Sequence, residues 1–261
     1  MGRLEGKRAL ITGSGAGIGR AVAHAMAAEG AVVAVTDIVQ ERIDEVVGEV
    51  EEAGGRAIGL QLDILDESSM RAGVEQVVDA FGGLDTLVNN GGVASVGTIE
   101  DTTLELWESQ YKANTTSAFL MSKFAWPHLK AAGGGSITNA SSVAGIWAQR
   151  GNLPYCAAKA AVLMLTKCLA LEGAADKIRV NCVCPGFTLT PMLIEFLDMQ
   201  PDAEAARRMS ERAHALNRMG EPSEVADGYV FLAANEWVTG VALPVDGGFR
   251  AGSRWQDFAA A

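Results

Sequence analysis

The chain has 261 residues, a formal charge of −11, a hydrophobic share of 49 % and seven prolines. Such a composition supports a globular core and excludes a disordered chain. The acidic balance excludes the basic footprint of a nucleic-acid binder and disfavours an anionic membrane as partner.

Strands and helices alternate from the start. "RALITG" reads as an apolar strand, and no apolar leader of signal length precedes it. "GIGRAVAHAMAAEG" is a helix closed at Gly30, "AVVAVTD" a second strand, and "QERIDEVVGEVEEAGG" a second helix. "AIGLQLD" and "DESSMRAGVEQVVDAFGG" repeat the pair, and "LDTLVNNGG" runs a fourth strand into glycines. One long helix follows from Leu104, with a kink expected near Pro127. "SITNASS" is the fifth strand, "LPYCAAKAAVLMLTKCLALEGA" the fifth helix and "IRVNCVCPG" the sixth strand. Residues 187–220 break the rhythm with short amphipathic helices interrupted at Pro201, an excursion long enough to cover a site. A helix, "PSEVADGYVFLAAN", and a last strand, "GVALPVDGG", close the pattern. Continuous apolar strands alternating with helices predict an α/β fold: a doubly wound, parallel seven-stranded sheet with helices on both faces, as a single domain over 1–261. No apolar run approaches the roughly 18 residues of a membrane span, so a cytoplasmic protein with no membrane partner is expected.

The four cysteines are Cys156, Cys168, Cys182 and Cys184. Cys182 and Cys184 share one face of a strand and are poorly placed to pair with each other. Buried reduced thiols are expected. His24, His128 and His214 are scattered, so no metal is expected.

"ITGSGAGIGRAV" puts Gly13, Gly17 and Gly19 between the first strand and the first helix, with Ser14 and Ile18 in the same turn. Glycines permit a tight turn and close backbone approach, and the helix behind offers free N–H groups to a pyrophosphate. A nucleoside-triphosphate loop would need a lysine followed by serine or threonine, and none follows. Asp37 ends the second strand, where an acid accepts hydrogen bonds from a ribose 2′-hydroxyl and repels a 2′-phosphate. Ile38 and Val39 supply no arginine, so NAD is expected rather than NADP. A cap on the next helix is the alternative use of Asp37. Asp63 and Ile64 end the third strand at the same edge, where a base could rest, and Asp63 reads equally well as a turn residue.

"NLPYCAAKAA" stacks Tyr155 and Lys159 one helical turn apart on one face. A phenol titrates near pH 10, too high for acid–base work at neutrality, and a nearby cation lowers that value. The pair therefore suits proton exchange with an alcohol or a carbonyl.

With these motifs the chain resembles a classical short-chain dehydrogenase/reductase over nearly its whole length, which implies a Rossmann-like sheet. "TGSGAGIG" is similar to the family's TGxxxGxG, and "NNGG" (Asn89 to Gly92) to NNAG, with Gly91 where alanine is usual. Asn114 in "YKANTTSAF" matches the asparagine of the active-site tetrad. Ser142 stands thirteen residues before Tyr155, the family spacing, and Tyr155 and Lys159 match YxxxK. "CPGFTLTPM", "RMGEPSEVA" and "VTGVALPVDGG" match later segments.

The resemblance implies that Tyr155 takes the proton of a bound alcohol as hydride leaves for the nicotinamide. It implies that Ser142 holds the same oxygen, that Lys159 binds the nicotinamide ribose and lowers the Tyr155 pKa, and that Asn114 links Lys159 to solvent. It adds Asn90, Gly91, Gly92, Pro185, Gly186, Thr188 and Thr190 to the cofactor contacts, Thr188 through its backbone. Val93, Ala94, Ser142, Ala144, Trp147, Asn152, Tyr155, Phe187 and Met192 are expected to face the substrate. A mostly apolar lining is ordinary for a small-molecule site. Met192, Leu193, Phe196 and Leu197 would let 187–220 close as a lid, and Arg150 would bind an anionic group if it pointed inward. The tail 249–261 carries Trp255 and Phe258 on a polar terminus, a pattern that suggests docking. Apolar faces with Phe119, Met121, Phe124 and Trp126 on the fourth helix, and Leu163, Met164 and Leu171 on the fifth, match the family's usual homotetramer. The expected activity is NAD(H)-dependent exchange of hydride with a secondary alcohol or ketone, a small molecule. The alternatives are a 3-oxoacyl thioester reductase using NADPH, a sugar-nucleotide epimerase, and an idle NAD-binding regulator.

Overall fold

The computed structural model describes residues 2–251. Seven parallel strands form one sheet in the order β3-β2-β1-β4-β5-β6-β7. They are β1 (Arg8–Ile11), β2 (Val32–Asp37), β3 (Arg56–Gln61), β4 (Thr86–Asn89), β5 (Gly135–Ala140), β6 (Ile178–Pro185) and β7 (Ala242–Val245). The pleat sends alternate residues to opposite faces, and the strands use both. Ile11, Val33, Val35, Val88 and Val183 join one apolar core with Val22, Met26, Ile43, Val46, Tyr229 and Leu232. Leu10, Ala34, Leu87, Ile137 and Val180 join the other with Met70, Val74, Val77, Met121, Phe124 and Leu129. Helices α1 (Gly17–Ala28), α2 (Gln40–Glu52) and α9 (Pro222–Ala234) therefore cover one face. Helices α3 (Glu67–Phe81), α5 (Ser117–Ala131) and α6 (Leu153–Gly173) cover the other. Each fully buried aliphatic side chain contributes about 1.5–3 kcal/mol relative to exposure, so two-sided burial explains strands with no polar alternation.

The strand order reverses between β1 and β4. Successive crossovers leave in opposite directions there, which opens a crevice at the carboxyl ends of the strands. The glycine turn after β1, Asp37, the turn after β4, Ser142 and the loop after β6 all lie along that edge.

Three features add to or correct the expectations. First, the long helix carries Pro127 inside α5 and, nearer its start, a π turn over Lys112–Thr116 that joins α4 (Leu104–Tyr111) to α5 with helical backbone on both sides. A π turn holds an extra residue, and such bulges often serve a functional site. Second, α6 is by length and composition apolar enough to cross a membrane, within the span Leu153–Asp176. It packs along the sheet instead, burying Ala158, Lys159, Val162, Thr166 and Ala170. Third, Cys182 and Cys184 are buried, but Cys156 is half-buried and Cys168 exposed, so the thiols are not uniformly interior. The excursion forms α7 (Pro191–Asp198) and α8 (Ala203–Arg212), separated around Pro201 as expected.

A buried amide network ties the sheet to two helices. Asn89 Nδ2 donates to Asn139 Oδ1 at 2.8 Å and to Ser122 Oγ at 3.1 Å, and Asn139 Nδ2 donates to Thr166 Oγ1 at 2.9 Å. Asn139→Ala removes both of its bonds in this network, to Asn89 and to Thr166, and leaves a cavity beside them. We expect a loss of about 2–4 kcal/mol in urea unfolding.

Candidate active site

The turn after β1 is stapled by side chains. Gly13 and Gly17 adopt φ of 61° and 56°, the left-handed region that glycine enters freely. A Cβ on Gly13 would stand 2.8 Å from Gly91 Cα, so the turns after β1 and β4 touch. Thr12 Oγ1 accepts the N–H groups of Asn90 and Gly91, each at 3.0 Å. Asn90 Nδ2 returns two bonds, to the carbonyls of Thr12 (3.1 Å) and Gly13 (3.0 Å). The Ser14 hydroxyl donates to Ile11 O at 2.9 Å and accepts the Thr36 N–H at 2.8 Å. The side chains of Ser14 and Asn90, both expected at the cofactor, thus also hold the turn. Ile18 packs on the core beneath.

Among the described residues, three features fit a dinucleotide. First, α1 begins at Gly17 with no side-chain cap and no acid in its first turn. Its leading N–H groups and positive end suit a phosphate. Second, a Cβ on Gly15 would stand 2.8 Å from Asp37 Oδ2, so one carboxylate oxygen lies against the glycine turn. Asp37 Oδ1 accepts the Val39 N–H at 3.1 Å, and Val39 occupies the cap position of α2, so Asp37 is not that cap. Third, Ile64 leans over Gly91, where a Cβ would meet its Cδ1 at 3.2 Å. Asp63 Oδ1 takes the Leu65 N–H at 2.8 Å, as a turn residue does. Past β6, Pro185 and Thr188 are buried, and Gly186, Phe187 and Thr190 are half-buried. Thr190 caps α7 through Leu193 N at 3.3 Å, and its side chain lies 3.2 Å from where a Gly17 Cβ would be. The glycine turn and the loop after β6 therefore wall one crevice. No cluster of three or more histidine, cysteine or acidic residues suited to a metal occurs among the described residues.

Asn114, Ser142, Tyr155 and Lys159 converge beside it. Lys159 is only 4 % exposed. Its Nζ donates to Ala140 O at 2.9 Å and lies 5.6 Å from the centroid of the Tyr155 ring. Burial pushes the ammonium down to about 8. The expected lowering of the phenol by Lys159 needs correction. Burial dominates at Tyr155 and raises its pKa, while its hydrogen bond with Ser142 pulls the other way. Ser142 Oγ also accepts the Ala144 N–H at 3.1 Å, which leaves its own proton free to donate. Asn114 sits in the π turn, its Nδ2 bonded to Val93 O (2.9 Å) and Gln110 O (3.0 Å). Its Oδ1 is buried without a protein partner and points at Gly92, where a Cβ would be 2.5 Å away and Lys159 Nζ 3.5 Å from the same point. A bare glycine is what lets carbonyl and ammonium share that spot.

The expected substrate residues form a rim with mixed exposure. Val93, Ala94, Trp147 and Met192 are exposed, Asn152 and Phe187 half-buried and Ala144 buried. Asn152 Nδ2 donates to Gln149 Oε1 at 2.9 Å. Arg150 is exposed. In the excursion, Leu197 is buried while Met192, Ile194 and Phe196 stay open. Trp255 and Phe258 lie outside the described residues.

A family model described as "Enoyl-(Acyl carrier protein) reductase" matches residues 13–250. A 2,5-dichloro-2,5-cyclohexadiene-1,4-diol dehydrogenase of Sphingobium indicum is 40 % identical, over 96 % of this chain and 98 % of its own. A crystal structure of a short-chain dehydrogenase/reductase from Burkholderia xenovorans superposes with a TM-score of 0.93 at 36 % identity, over 97 % of this chain and 100 % of that one. The chain belongs to the classical short-chain dehydrogenase/reductase family. A 3-oxoacyl-[acyl-carrier-protein] reductase of Thermotoga maritima is 38 % identical, over 94 % of this chain and 98 % of its own. As a member of the family, this short-chain dehydrogenase/reductase is an oxidoreductase of small alcohols and ketones that uses a pyridine nucleotide.

Several residues of the site escaped the sequence reading. Thr12 opens the TGSGAGIG match, but its double bond to the β4 turn was not read from that position. Ser141 Oγ donates to Lys159 O at 2.9 Å and Thr115 Oγ1 to Ala158 O at 2.9 Å, each fixing the backbone of α6 from another element. Neighbouring motif positions were the only hint of either.

The two glycines after Asn90 should behave differently. Gly91→Ala needs only a few tenths of an ångström from Ile64 and Thr12, and we expect stability and NADH affinity to stay within about threefold of wild type by thermal melts and calorimetry. Gly92→Ala drives a methyl into Asn114 Oδ1, and we expect turnover to fall by about tenfold or more.

Proposed function

We propose that this protein oxidises a secondary alcohol on a small, largely apolar skeleton to the ketone, with NAD, and catalyses the reverse reduction. The observation that carries the reading is the Ser142–Tyr155 hydroxyl pair above the buried Lys159, at the crevice walled by the glycine turn. Ser142 donates to the substrate oxygen and holds it near Tyr155 Oη. Tyr155 takes the hydroxyl proton as the carbinol C–H bond breaks and the C–O bond becomes C=O. The nicotinamide, when bound, supplies the hydride acceptor. In reduction Tyr155 returns the proton. Lys159 supports the phenolate by its charge, and Asn114 holds an acceptor toward Lys159 for proton exchange.

The Asp37 carboxylate beside Gly15 supports NAD, because a 2′-phosphate would meet a second negative charge there. The ring diol named for the Sphingobium relative supports a ring-bearing alcohol as substrate. The exposed apolar residues of α7 support 187–220 as a lid that dries the site. Open side chains on the two long helices support a homotetramer: Met164 is 60 % and Leu171 83 % exposed, with Phe119 also open. Met121 and Phe124 belong to the protomer's own core, so that surface is narrower than the sequence suggested.

A panel of cyclic and linear secondary alcohols with NAD and NADP, followed by cofactor absorbance, tests the reading. We expect NAD to be preferred by about tenfold or more. Equal turnover with NADP on 3-oxoacyl thioesters would favour the reductase alternative. Tyr155→Phe should lose about a thousandfold in turnover while NADH affinity stays within about threefold.

The pH profile has a defined sign. The phenol is pushed up and the ammonium down to about 8, so at neutral pH Tyr155 keeps its proton while Lys159 still carries most of its charge. Oxidation needs Tyr155 without its proton. Its kcat/KM should climb with pH through the neutral and mildly alkaline range, while reduction, which needs the protonated phenol, should not climb. Residual turnover of Lys159→Met, which lacks the supporting charge, should show the climb displaced to higher pH.

A further inference from the structure

One imidazole outside the tetrad is built into the wall of the same crevice. His214 follows α8 and is 1 % exposed. Its Nδ1 lies 2.8 Å from Ser210 O, and its Nε2 accepts the Phe187 N–H at 3.1 Å. A carbonyl can only accept and a backbone N–H can only donate. These partners therefore place the proton on Nδ1 and leave Nε2 bare, a neutral ring with one tautomer.

The surroundings keep the ring in place. His214 packs against Phe187 (centroids 5.6 Å apart, planes at 76°) and Phe249 (5.5 Å, 58°). Phe187 and Phe249 meet edge-on at 5.8 Å and 85°. A Cβ on Gly186 would come within 2.7 Å of Nε2, so this glycine makes room for the imidazole. The other side of the loop is tied as well: Gly220 N–H donates to Phe187 O at 2.9 Å, and Leu189 N–H to Gly220 O at 2.9 Å. The peptide units around Phe187 are thus clamped from both sides by the excursion itself. Thr188, whose backbone is the expected nicotinamide contact, is the next residue.

We propose that His214 is a positioning residue for hydride transfer. Its bare Nε2 fixes the Phe187–Thr188 backbone, and with it both the substrate wall at Phe187 and the cofactor contact at Thr188. The inference rests on the dinucleotide reading given above. It couples the excursion to the cofactor through a backbone hydrogen bond, so a movement of α8 is felt at the loop after β6.

The test compares His214→Phe, which keeps a ring in the cluster and removes the acceptor, with His214→Gln, whose Oε1 can restore it. Three quantities are measured on the full chain: amide hydrogen exchange at Phe187, NADH affinity by calorimetry, and kcat and KM separately. In His214→Phe we expect Phe187 exchange to quicken by about tenfold, NADH affinity to weaken several-fold and kcat to fall by about tenfold. His214→Gln should recover most of each. Wild-type exchange and affinity in a folded His214→Phe would overturn the proposal. If that variant does not fold, rapid Phe187 exchange in the wild type, or a His214→Gln variant no better than His214→Ala in NADH affinity, would do the same. Failure of wild-type protein to bind NADH sinks the dinucleotide reading instead, and is told apart by a Phe187 amide that remains protected.

Discussion

An ammonium held at 4 % exposure against one carbonyl oxygen constrains everything around it. Removing a cation from water is costly unless its donors find partners, and the pKa of Lys159 falls to about 8 for that reason. The surrounding backbone is correspondingly rigid. Ser141 Oγ grips the Lys159 carbonyl, Thr115 Oγ1 grips Ala158, and Gly145 packs so near that a Cβ would stand 2.7 Å from Lys159 O. The stretch after β5 and the π turn therefore hold the opening turns of α6 in one position from two sides. Tyr155 lies one turn earlier on the same helix, so the phenol inherits that placement.

The π turn completes the arrangement. A regular helix from Leu104 onward would give Asn114 a different azimuth. The extra residue in Lys112–Thr116 turns its amide inward, where Nδ2 is tied to Val93 O and Gln110 O and Oδ1 is left facing Gly92. A buried acceptor without a protein partner costs stability. Here it stands beside the one cation able to use it in proton exchange. Local irregularity, a missing Cβ and an unpaired oxygen all occur at one point, as expected where function overrides local preference.

Much of this was legible in the residues. Apolar strands without alternation announced a sheet buried on both faces, and Ile11 and Leu10 do enter opposite cores. The spacing of Tyr155 and Lys159 told which helix face mattered, because a helix fixes that geometry locally. What was not legible depends on tertiary contact. Proline at 127 is visible in the residues, but the π turn at Asn114 is not, because its requirement comes from Val93 and Gly92. Ser14 and Asn90 have the composition of ligands, and their bonds to Thr36 and to the Thr12 and Gly13 carbonyls show a role in holding the turn that no spacing announces. The upward shift of the phenol was not legible because a sequence shows a neighbouring charge but not the burial that raises the pKa.

The two halves of the crevice are built differently. On the cofactor side, Thr12, Ser14 and Asn90 stitch three loops together through at least six hydrogen bonds to backbone groups. On the side proposed for the substrate, Val93, Trp147 and Met192 stand exposed, as do Ile194 and Phe196 of α7. A rigid half binds a chemically constant ligand without paying for reordering. An open apolar half can be reshaped by side-chain changes that never touch the sheet. His214 lies where these halves meet, its ring among the aromatics of the excursion and its Nε2 on the loop after β6. If 187–220 closes over a substrate as proposed, it would press on the peptide proposed to align the cofactor, and the cost of a poor substrate would be read in hydride transfer as well as in binding.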